Sequence, residues 1–383
     1  MTLHRLNRFL LPLLLALTTA LALPSASRGE LVLDGPELEA AENAEGVPLL
    51  EMVPQEEAGE FVSLEEAPCP STTCCNLRCC KPRPQDQVWL VSTRHLGCPR
   101  CGDEPNLRVW LFNWETNQWE ASSLEAFYAS DDPAVNTLVN VHGNRVDWCT
   151  ANREGWEAYR AITCCGPEAP VRYVIWSWPA SQIKGILKDL RTKAARCDSD
   201  GWYLGWFLGN MNPEVQVGLV GYSFGARIVT GALHVNAGGR MAGQMLPTEK
   251  LHRKPSRVVL CAAALHNNWL IPGSYHGRAY MQIDHMLCLN NGCDPITKRY
   301  RFVFKGSRPA ALGYTGIAGL YSMGETSSRI QQRNLCGWIG KTHDWEAYFH
   351  NPGVVSLMRP YLLWYDLGGG SKPAGVELVK AAE

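Results

Sequence analysis

The sequence predicts an α/β protein with a mostly parallel, eight-stranded sheet and helices on both faces of that sheet. From residue 86 onward, short apolar runs bounded by turn residues alternate with longer stretches of helical periodicity. The later runs are almost continuously hydrophobic, which is typical of parallel strands covered on both faces. The expected strands are residues 88–92, 108–112, 137–142, 171–177, 215–222, 257–264 and 285–290, with a weaker eighth at 329–335.

Helices are expected between these strands, at residues 147–163, 180–197 and 224–235. The first two strands are joined by a short connection, which favours an antiparallel pair at the start of the sheet. We place the α/β domain at residues 86–366 and a C-terminal tail at 367–383.

Residues 1–26 have the pattern of a signal peptide. His4, Arg5 and Arg8 form a basic start, and a 15-residue apolar run follows at 9–23. Cleavage is expected after Ala22 or after Ala26, and an uncleaved anchor is the alternative. We therefore expect an exported protein, secreted or located in the periplasm or cell envelope, without a stable membrane span once the signal is removed.

An acidic segment follows at residues 27–68. It contains Asp34 and eleven Glu but no Lys, and it lacks helical or alternating periodicity. Such a segment cannot bury enough apolar area to offset the entropy of ordering it, so we expect a disordered extension. It is either a solubilising tether or a pro-segment that folds back on the mildly basic remainder of the chain.

The whole-chain composition excludes other classes of protein. A hydrophobic fraction of 46% with 14 Trp is incompatible with a disordered or fibrous chain. The absence of a dense Lys/Arg stripe argues against a nucleic-acid partner. The oligomeric state is not predicted by any feature of the sequence.

Residues 69–101 form a Cys-rich entry segment that overlaps the first strand. Export favours disulfides here, whereas Cys75-x3-Cys79 with Cys98-x2-Cys101 approaches the spacing of a zinc ribbon, so both alternatives stay open. Cys261 and Cys288 lie within apolar strands and are expected to be buried thiols. Four later cysteines are candidates for further bridges: Cys149, Cys164, Cys165 and Cys197.

One motif indicates a catalytic function. The strand at 215–220 is followed by Gly221-Tyr222-Ser223-Phe224-Gly225 and then by a helical start. This is G-x-S-x-G in the strand–turn–helix context of a nucleophile elbow, in which a serine is held at a helix N-terminus. Ser223 is therefore the candidate nucleophile, and an inert serine in a structural Gly-rich turn is the alternative.

A second turn supplies a candidate oxyanion hole. The strand at 137–142 ends in His142-Gly143-Asn144-Arg145, and an H-G-x turn can offer one backbone amide to an oxyanion. The expected donors are the backbone amides of Asn144 and Phe224. His142 itself is expected to brace the loop rather than to transfer protons.

A serine nucleophile in this context requires an acid and then a histidine later in the chain. His343 follows the last candidate strand and is preferred over His350 as the base. Asp294 follows the seventh candidate strand and is the expected acid. The alternative role for Asp294 is to cap a helix.

With these residues in view, the chain resembles the α/β-hydrolase superfamily, and within it bacterial exported serine hydrolases of unknown function. The resemblance covers residues 86–365 and rests on five motifs: His142-Gly143, Ser177-Trp178-Pro179, Gly221 to Gly225, Asp294-Pro295 and His343. It implies an eight-stranded sheet and hydrolysis of an ester or related acyl bond by Ser223, His343 and Asp294. The chain departs from the superfamily in its Cys-rich entry and in Asn144 at the oxyanion position.

The expected function is thus that of an exported serine hydrolase acting on a small-molecule or lipid-like acyl substrate, with no metal and no cofactor. Trp178 is a candidate pocket residue. The aromatic residues Trp202, Tyr203, Trp206 and Phe207 either form an apolar lip for the acyl group or pack a helix against the sheet. A binding or envelope-structural protein of the same fold, with an inactive triad, is the alternative from another functional class.

Overall fold

The computed structural model describes residues 82–100, 102–164, 168–251, 253–304 and 308–367. The predicted signal peptide, the acidic extension, residues 69–81 and 101 of the Cys-rich segment, and residues 368–383 of the C-terminal tail lie outside these residues. Within the described ranges, no helix is both long enough and apolar enough to cross a bilayer.

The strands form one sheet in the order β3-β2-β1-β5-β4-β6-β7-β8-β9. Neighbours from β1 to β9 along this order are parallel, whereas β2 is antiparallel to β1 and β3 to β2. The expected antiparallel pair at the start of the sheet is therefore confirmed. The bounds are β1 Gln87–Ser92, β2 Arg108–Asn113, β3 Gln118–Ser122, β4 Asn136–Val141, β5 Val171–Ser177, β6 Val217–Tyr222, β7 Ser256–Cys261, β8 Ile283–Asn290 and β9 Ile330–Asn334.

The sheet has nine strands, so the prediction of eight is wrong. The unpredicted strand is β3, an edge strand that pairs with β2 alone. None of its five residues is buried, and Trp119 is its only large apolar side chain. Because both faces of an edge strand can meet solvent, β3 has no apolar run that would reveal it in the sequence.

Nine α-helical segments of the described chain connect and flank the strands. They are α1 Leu124–Ala129, α2 Trp148–Thr163, α3 Ile186–Gly209, α4 Phe224–Asn236, α5 Pro295–Arg299, α6 Leu312–Thr315, α7 Cys336–Ile339, α8 Trp345–Phe349 and α9 Pro352–Leu362. Short 3₁₀ segments lie at Thr248–Lys250, Ala279–Gln282, Tyr300–Phe302 and Leu320–Arg329.

The predictions for α2 and α4 agree closely with the structure, and the prediction of a helix at 180–197 does not. That helix, α3, begins at Ile186 and continues to Gly209. Gly201 and Gly205, which weaken a helix signal in the sequence, allow α3 to approach α4 closely. A Cβ added to Gly201 would lie 3.3 Å from the Cα of Gly231.

Helices cover both faces of the sheet, as predicted. On one face, α3 and α4 pack against alternate strand residues such as Val139 and Leu219. On the other face, α2 and α9 pack against residues such as Leu138 and Tyr173. The aromatic residues that were candidates for an apolar lip are buried in the first layer, which agrees with the packing alternative: Trp202, Tyr203, Trp206 and Phe207.

The cysteines follow the expectations in part. Cys261 and Cys288 are buried free thiols, as predicted, and Cys197 is also a buried free thiol rather than a bridge. A disulfide joins Cys293 to Cys336. Cys75, Cys79 and Cys101 lie outside the described residues, so the choice between disulfides and zinc in the entry segment remains a prediction. In the described part of the chain, no group of three or more His, Cys, Asp or Glu side chains is placed to hold a metal.

Candidate active site

Ser223 lies at a sharp turn between β6 and α4, in a backbone conformation that side-chain-bearing residues seldom adopt. Its φ is 54° and its ψ is −117°, and such a conformation costs about 1–3 kcal/mol when the surroundings impose it. The flanking glycines show what imposes it. A Cβ on Gly225 would lie 2.1 Å from the Val141 carbonyl oxygen, and one on Gly221 would lie 2.7 Å from the Ala226 backbone. The G-x-S-x-G pattern is therefore required by the close approach of β4, β6 and α4.

The structure brings Ser223, His343 and Asp294 together. The Nε2 atom of His343 lies 3.1 Å from the Ser223 hydroxyl oxygen. The Nδ1 atom lies 2.6 Å from Oδ2 of Asp294. Ser223 is 7% exposed and the Asp294 side chain is fully buried. The order serine, histidine, carboxylate is that of a serine nucleophile with a base and an orienting acid.

Asp294 caps a helix, which is the alternative role considered for it. It is the N-cap of α5, and its Oδ1 accepts hydrogen bonds from the amides of Ile296 and Thr297 at 2.7 and 3.2 Å. Oδ1 thus binds the N-terminus of α5, and Oδ2 lies against His343. Because helix capping fixes the carboxylate, the oxygen that faces the imidazole is held in a single orientation.

Two residues that sequence reasoning missed hold the His343 loop. The Tyr222 hydroxyl donates a hydrogen bond to the backbone carbonyl of His343. Asn291, fully buried just after β8, donates from Nδ2 to the carbonyls of Gly340 and Thr342 at 2.9 and 3.0 Å. No local pattern in the sequence marks these contacts, although both residues adjoin predicted motifs.

The predicted oxyanion turn lies directly against the nucleophile. A Cβ on Gly143 would lie 2.8 Å from the Tyr222 ring and 3.3 Å from the Cβ of Ser223. Within the described residues, the backbone amides of Asn144 and Phe224 donate to no other protein group. Both amides thus remain available to an oxygen atom of a ligand, and that of Phe224 lies in the first turn of α4, where the helix dipole favours negative charge.

His142 is buried and braces this turn. Its Nδ1 lies 2.9 Å from the Gly143 carbonyl, and its Nε2 accepts from the Trp178 amide at 3.3 Å. Burial, reinforced by the nearby Arg94, lowers the pKa of His142 well below its usual value, so the ring is neutral. This arrangement agrees with the expectation that His142 positions the loop.

Trp178, the candidate pocket residue, is completely buried. Its ring stacks on His142 with the ring centroids 5.6 Å apart, and its Nε1 donates to the His142 carbonyl at 2.8 Å. The structure therefore places Trp178 beneath the oxyanion turn rather than on an open pocket wall. His350, the alternative base, lies instead at 3.1 Å from Glu157 through its Nε2 atom.

Comparisons with known proteins give only a distant likeness. No protein-family model and no curated protein matches the chain. Among solved structures, an acetylxylan esterase aligns at 12% identity with a TM-score of 0.32. An iodinated complex of acetyl xylan esterase aligns at 12% identity with a TM-score of 0.33. In each case the alignment covers 60% of this chain and 99% of the esterase chain.

Proposed function

We propose that the chain is a serine hydrolase of the α/β-hydrolase type that cleaves an ester or related acyl bond. The observation that carries the proposal is the contact series at the elbow: Ser223 Oγ at 3.1 Å from His343 Nε2, and His343 Nδ1 at 2.6 Å from Asp294. This geometry supports proton transfer from the hydroxyl to the imidazole, with the carboxylate fixing the tautomer. The proposed substrate is a small-molecule or lipid-like acyl compound.

The mechanism has two acyl-transfer steps. Ser223 Oγ attacks the carbonyl carbon while its proton moves to His343 Nε2, and the amides of Asn144 and Phe224 hold the oxyanion. Collapse of the tetrahedral intermediate breaks the bond to the leaving alcohol, which takes the proton from His343. Water then attacks the acyl-enzyme, gives a proton to His343, and releases the carboxylic acid as Ser223 recovers its proton.

Export is proposed together with this activity. The basic and apolar pattern of residues 1–26 supports a signal peptide, and N-terminal sequencing of the exported protein distinguishes cleavage after Ala22 from cleavage after Ala26.

Replacing the nucleophile tests the proposal. Ser223→Ala should lower kcat on short-chain acyl esters by about 10⁵- to 10⁶-fold and leave the fold intact, because the base and the acid act only through the hydroxyl. Ester hydrolysis and labelling by a fluorophosphonate probe are the two measurements. Mass spectrometry of the labelled peptide identifies the modified residue.

Ser199→Ala is the matched control. Ser199 is a fully buried serine of α3 whose hydroxyl has no hydrogen-bond partner among the described residues, so its removal should leave labelling and hydrolysis unchanged. If the Ser223→Ala variant hydrolyses esters as fast as the wild type, the assignment of Ser223 as the nucleophile is wrong. A wild-type protein that neither hydrolyses esters nor reacts with the probe favours the alternative of an inactive binding or envelope-structural protein.

A further inference from the structure

Asp189 is a buried carboxylate that contacts the oxyanion turn. It lies in the first turn of α3, its side chain is fully buried, and nothing in the sequence motifs marks it. Its Oδ2 accepts from Asn144 Nδ2 at 3.1 Å and from Arg145 Nε at 2.9 Å. Its Oδ1 accepts from the Ile183 amide at 3.2 Å.

Burying a carboxylate costs several kcal/mol unless hydrogen bonds and opposite charge compensate it. Here two of the three donors belong to consecutive residues of the turn that presents the Asn144 amide. The nearby Lys193 also interacts with this charge, but breaking either turn contact removes part of the compensation, so the carboxylate favours the turn conformation that satisfies it.

The backbone of the turn needs such a constraint. Arg145 has φ 61°, in the left-handed region that a non-glycine residue seldom adopts. Its ion pair with Asp189 at 2.9 Å holds the residue directly after the proposed oxyanion donor in this conformation. The side chain of Asn144 is held at the same time, because a carboxylate accepts only from its Nδ2 group.

We propose that Asp189 is a positioning residue of the oxyanion hole: it fixes the backbone amide of Asn144 toward the reacting carbonyl oxygen by binding the side chains of Asn144 and Arg145. The inference rests on the proposed function. It also explains asparagine at the oxyanion position, since the amide side chain has a donor that meets the buried carboxylate.

Asp189→Asn tests the role with little change of shape. Asparagine has one acceptor oxygen, and its NH2 group would face the donors of Asn144, Arg145 or Ile183. The turn therefore loses the carboxylate that binds it. We expect kcat on a short-chain ester to fall by about 30- to 100-fold with KM changed less than threefold, since loss of one oxyanion donor costs about 10²- to 10³-fold.

A thionoester, in which sulfur replaces the carbonyl oxygen, separates this role from a purely structural one. Sulfur is larger and accepts hydrogen bonds poorly, so an intact oxyanion hole favours the ester strongly over the thionoester. The preference for the ester should therefore fall about tenfold in Asp189→Asn. A lower kcat with an unchanged preference would show that Asp189 supports only the fold.

Asp131→Asn is the matched control. The Asp131 side chain is 7% exposed and ion-paired with Arg172, but it precedes β4 at the opposite end of the sheet. Its replacement should lower stability without changing the preference for the ester. If Asp189→Asn does not fold, Asn144→Ala removes the same contact while keeping the backbone amide, and it should also reduce the preference.

The two proposals fail in different ways. A wild-type protein without ester hydrolysis and without fluorophosphonate labelling overturns both of them. If the wild type is active, and Asp189→Asn and Asn144→Ala both keep the wild-type kcat and the wild-type preference for the ester over the thionoester, only the positioning role is overturned.

Discussion

Tyr222, the residue before the candidate nucleophile, touches both halves of the site. Its ring packs against Gly143 of the oxyanion turn, where a Cβ would lie only 2.8 Å away. Its hydroxyl donates to the His343 carbonyl. Burial raises the pKa of this hydroxyl well above its usual value, so the group remains a donor. The side chain thus fixes the His343 loop relative to the turn that contains Gly143.

Tyr222→Phe should lower kcat about tenfold and leave KM nearly unchanged. The ring keeps its packing against Gly143, while the His343 loop loses one hydrogen bond worth about 0.5–1.5 kcal/mol. Since the lost contact orients the base and not the substrate, the effect should appear in kcat. Steady-state kinetics with a short-chain ester measure it.

Tyr348→Phe provides the comparison for Tyr222→Phe. The Tyr348 ring lies 5.9 Å from that of Tyr222, and its buried hydroxyl has no partner among the described residues. Removing it should leave kcat unchanged. Equal kinetics for the two variants would contradict the role assigned to the Tyr222 hydroxyl.

The candidate site could be predicted from sequence where local constraints act. Ser223 is marked by glycines that close packing requires, and Asp294 and His343 by their order after it. Asp189 and Asn291 could not be found in this way. Their contacts with Arg145 and with Gly340 span more than 40 residues of the chain, and a single buried polar residue has no periodic signal.

Secondary-structure elements likewise divide into those that a local sequence pattern marks and those that it does not. Strands β4 to β8 were predicted because burial on both faces makes them apolar, whereas β3 is polar and exposed at the edge. The sequence predicts a start of α3 six residues too early, because residues 180–185 are apolar in part but form a loop whose Ile183 amide binds Asp189.

The Cys293–Cys336 disulfide connects two elements that position the site. Cys293 precedes Asp294 at the end of β8, and Cys336 begins α7, which leads to the His343 loop. The bond closes a segment with a sequence separation of 43 residues. Restriction of the unfolded chain by such a loop is worth up to about 4 kcal/mol.

The double variant Cys293→Ser/Cys336→Ser should lose stability far more than activity. We expect the free energy of unfolding to fall by about 2–4 kcal/mol. The kcat at 25 °C should stay within about threefold of wild type, because α5 capping and Asn291 still hold Asp294 and the His343 loop. Denaturant unfolding and ester hydrolysis measure the two effects.

A folded double variant that lacks activity would contradict this division of roles. Cys288→Ala is a suitable control, since Cys288 is a buried free thiol of β8 and tests the removal of sulfur without the loss of a cross-link. Added reductant is a weaker test than the double variant, because Cys149 is also disulfide-bonded.

At the scale of the whole molecule, we expect the four buried histidines of the described residues to dominate the response of stability to acid. Burial is the main cause in each case: it lowers the pKa of His234 to about 4 and that of His266 to about 3, and it lowers those of His142 and His276 well below their usual value. In the unfolded chain each would titrate near about 6.5. Below that pH the unfolded chain binds protons that the folded chain does not bind.

Buried carboxyl groups act in the opposite direction. Burial raises the pKa of Glu154 to about 7, so the folded chain binds a proton there that the unfolded chain releases. Burial also raises the pKa of Asp198 and of Asp200, against the effect of neighbouring arginines. Between pH 6.5 and pH 5.5 the four histidines outweigh Glu154, with a net difference of about two protons on average.

The free energy of unfolding should therefore decrease by about 2.7 kcal/mol between pH 6.5 and pH 5.5. Denaturant titrations at pH 6.5 and pH 5.5 measure this slope. His234→Asn should remove about one proton from this difference, because asparagine does not titrate. Asparagine still offers an acceptor to the Arg278 amide, which lies 3.2 Å from Nδ1 of His234.

Leu233→Ala, at the neighbouring buried position of α4, is the control. It should lower the free energy of unfolding by about 2–5 kcal/mol at both pH values and leave its dependence on pH unchanged. A free energy of unfolding that is equal at pH 6.5 and pH 5.5 would show that the buried histidines accept protons without opening the fold.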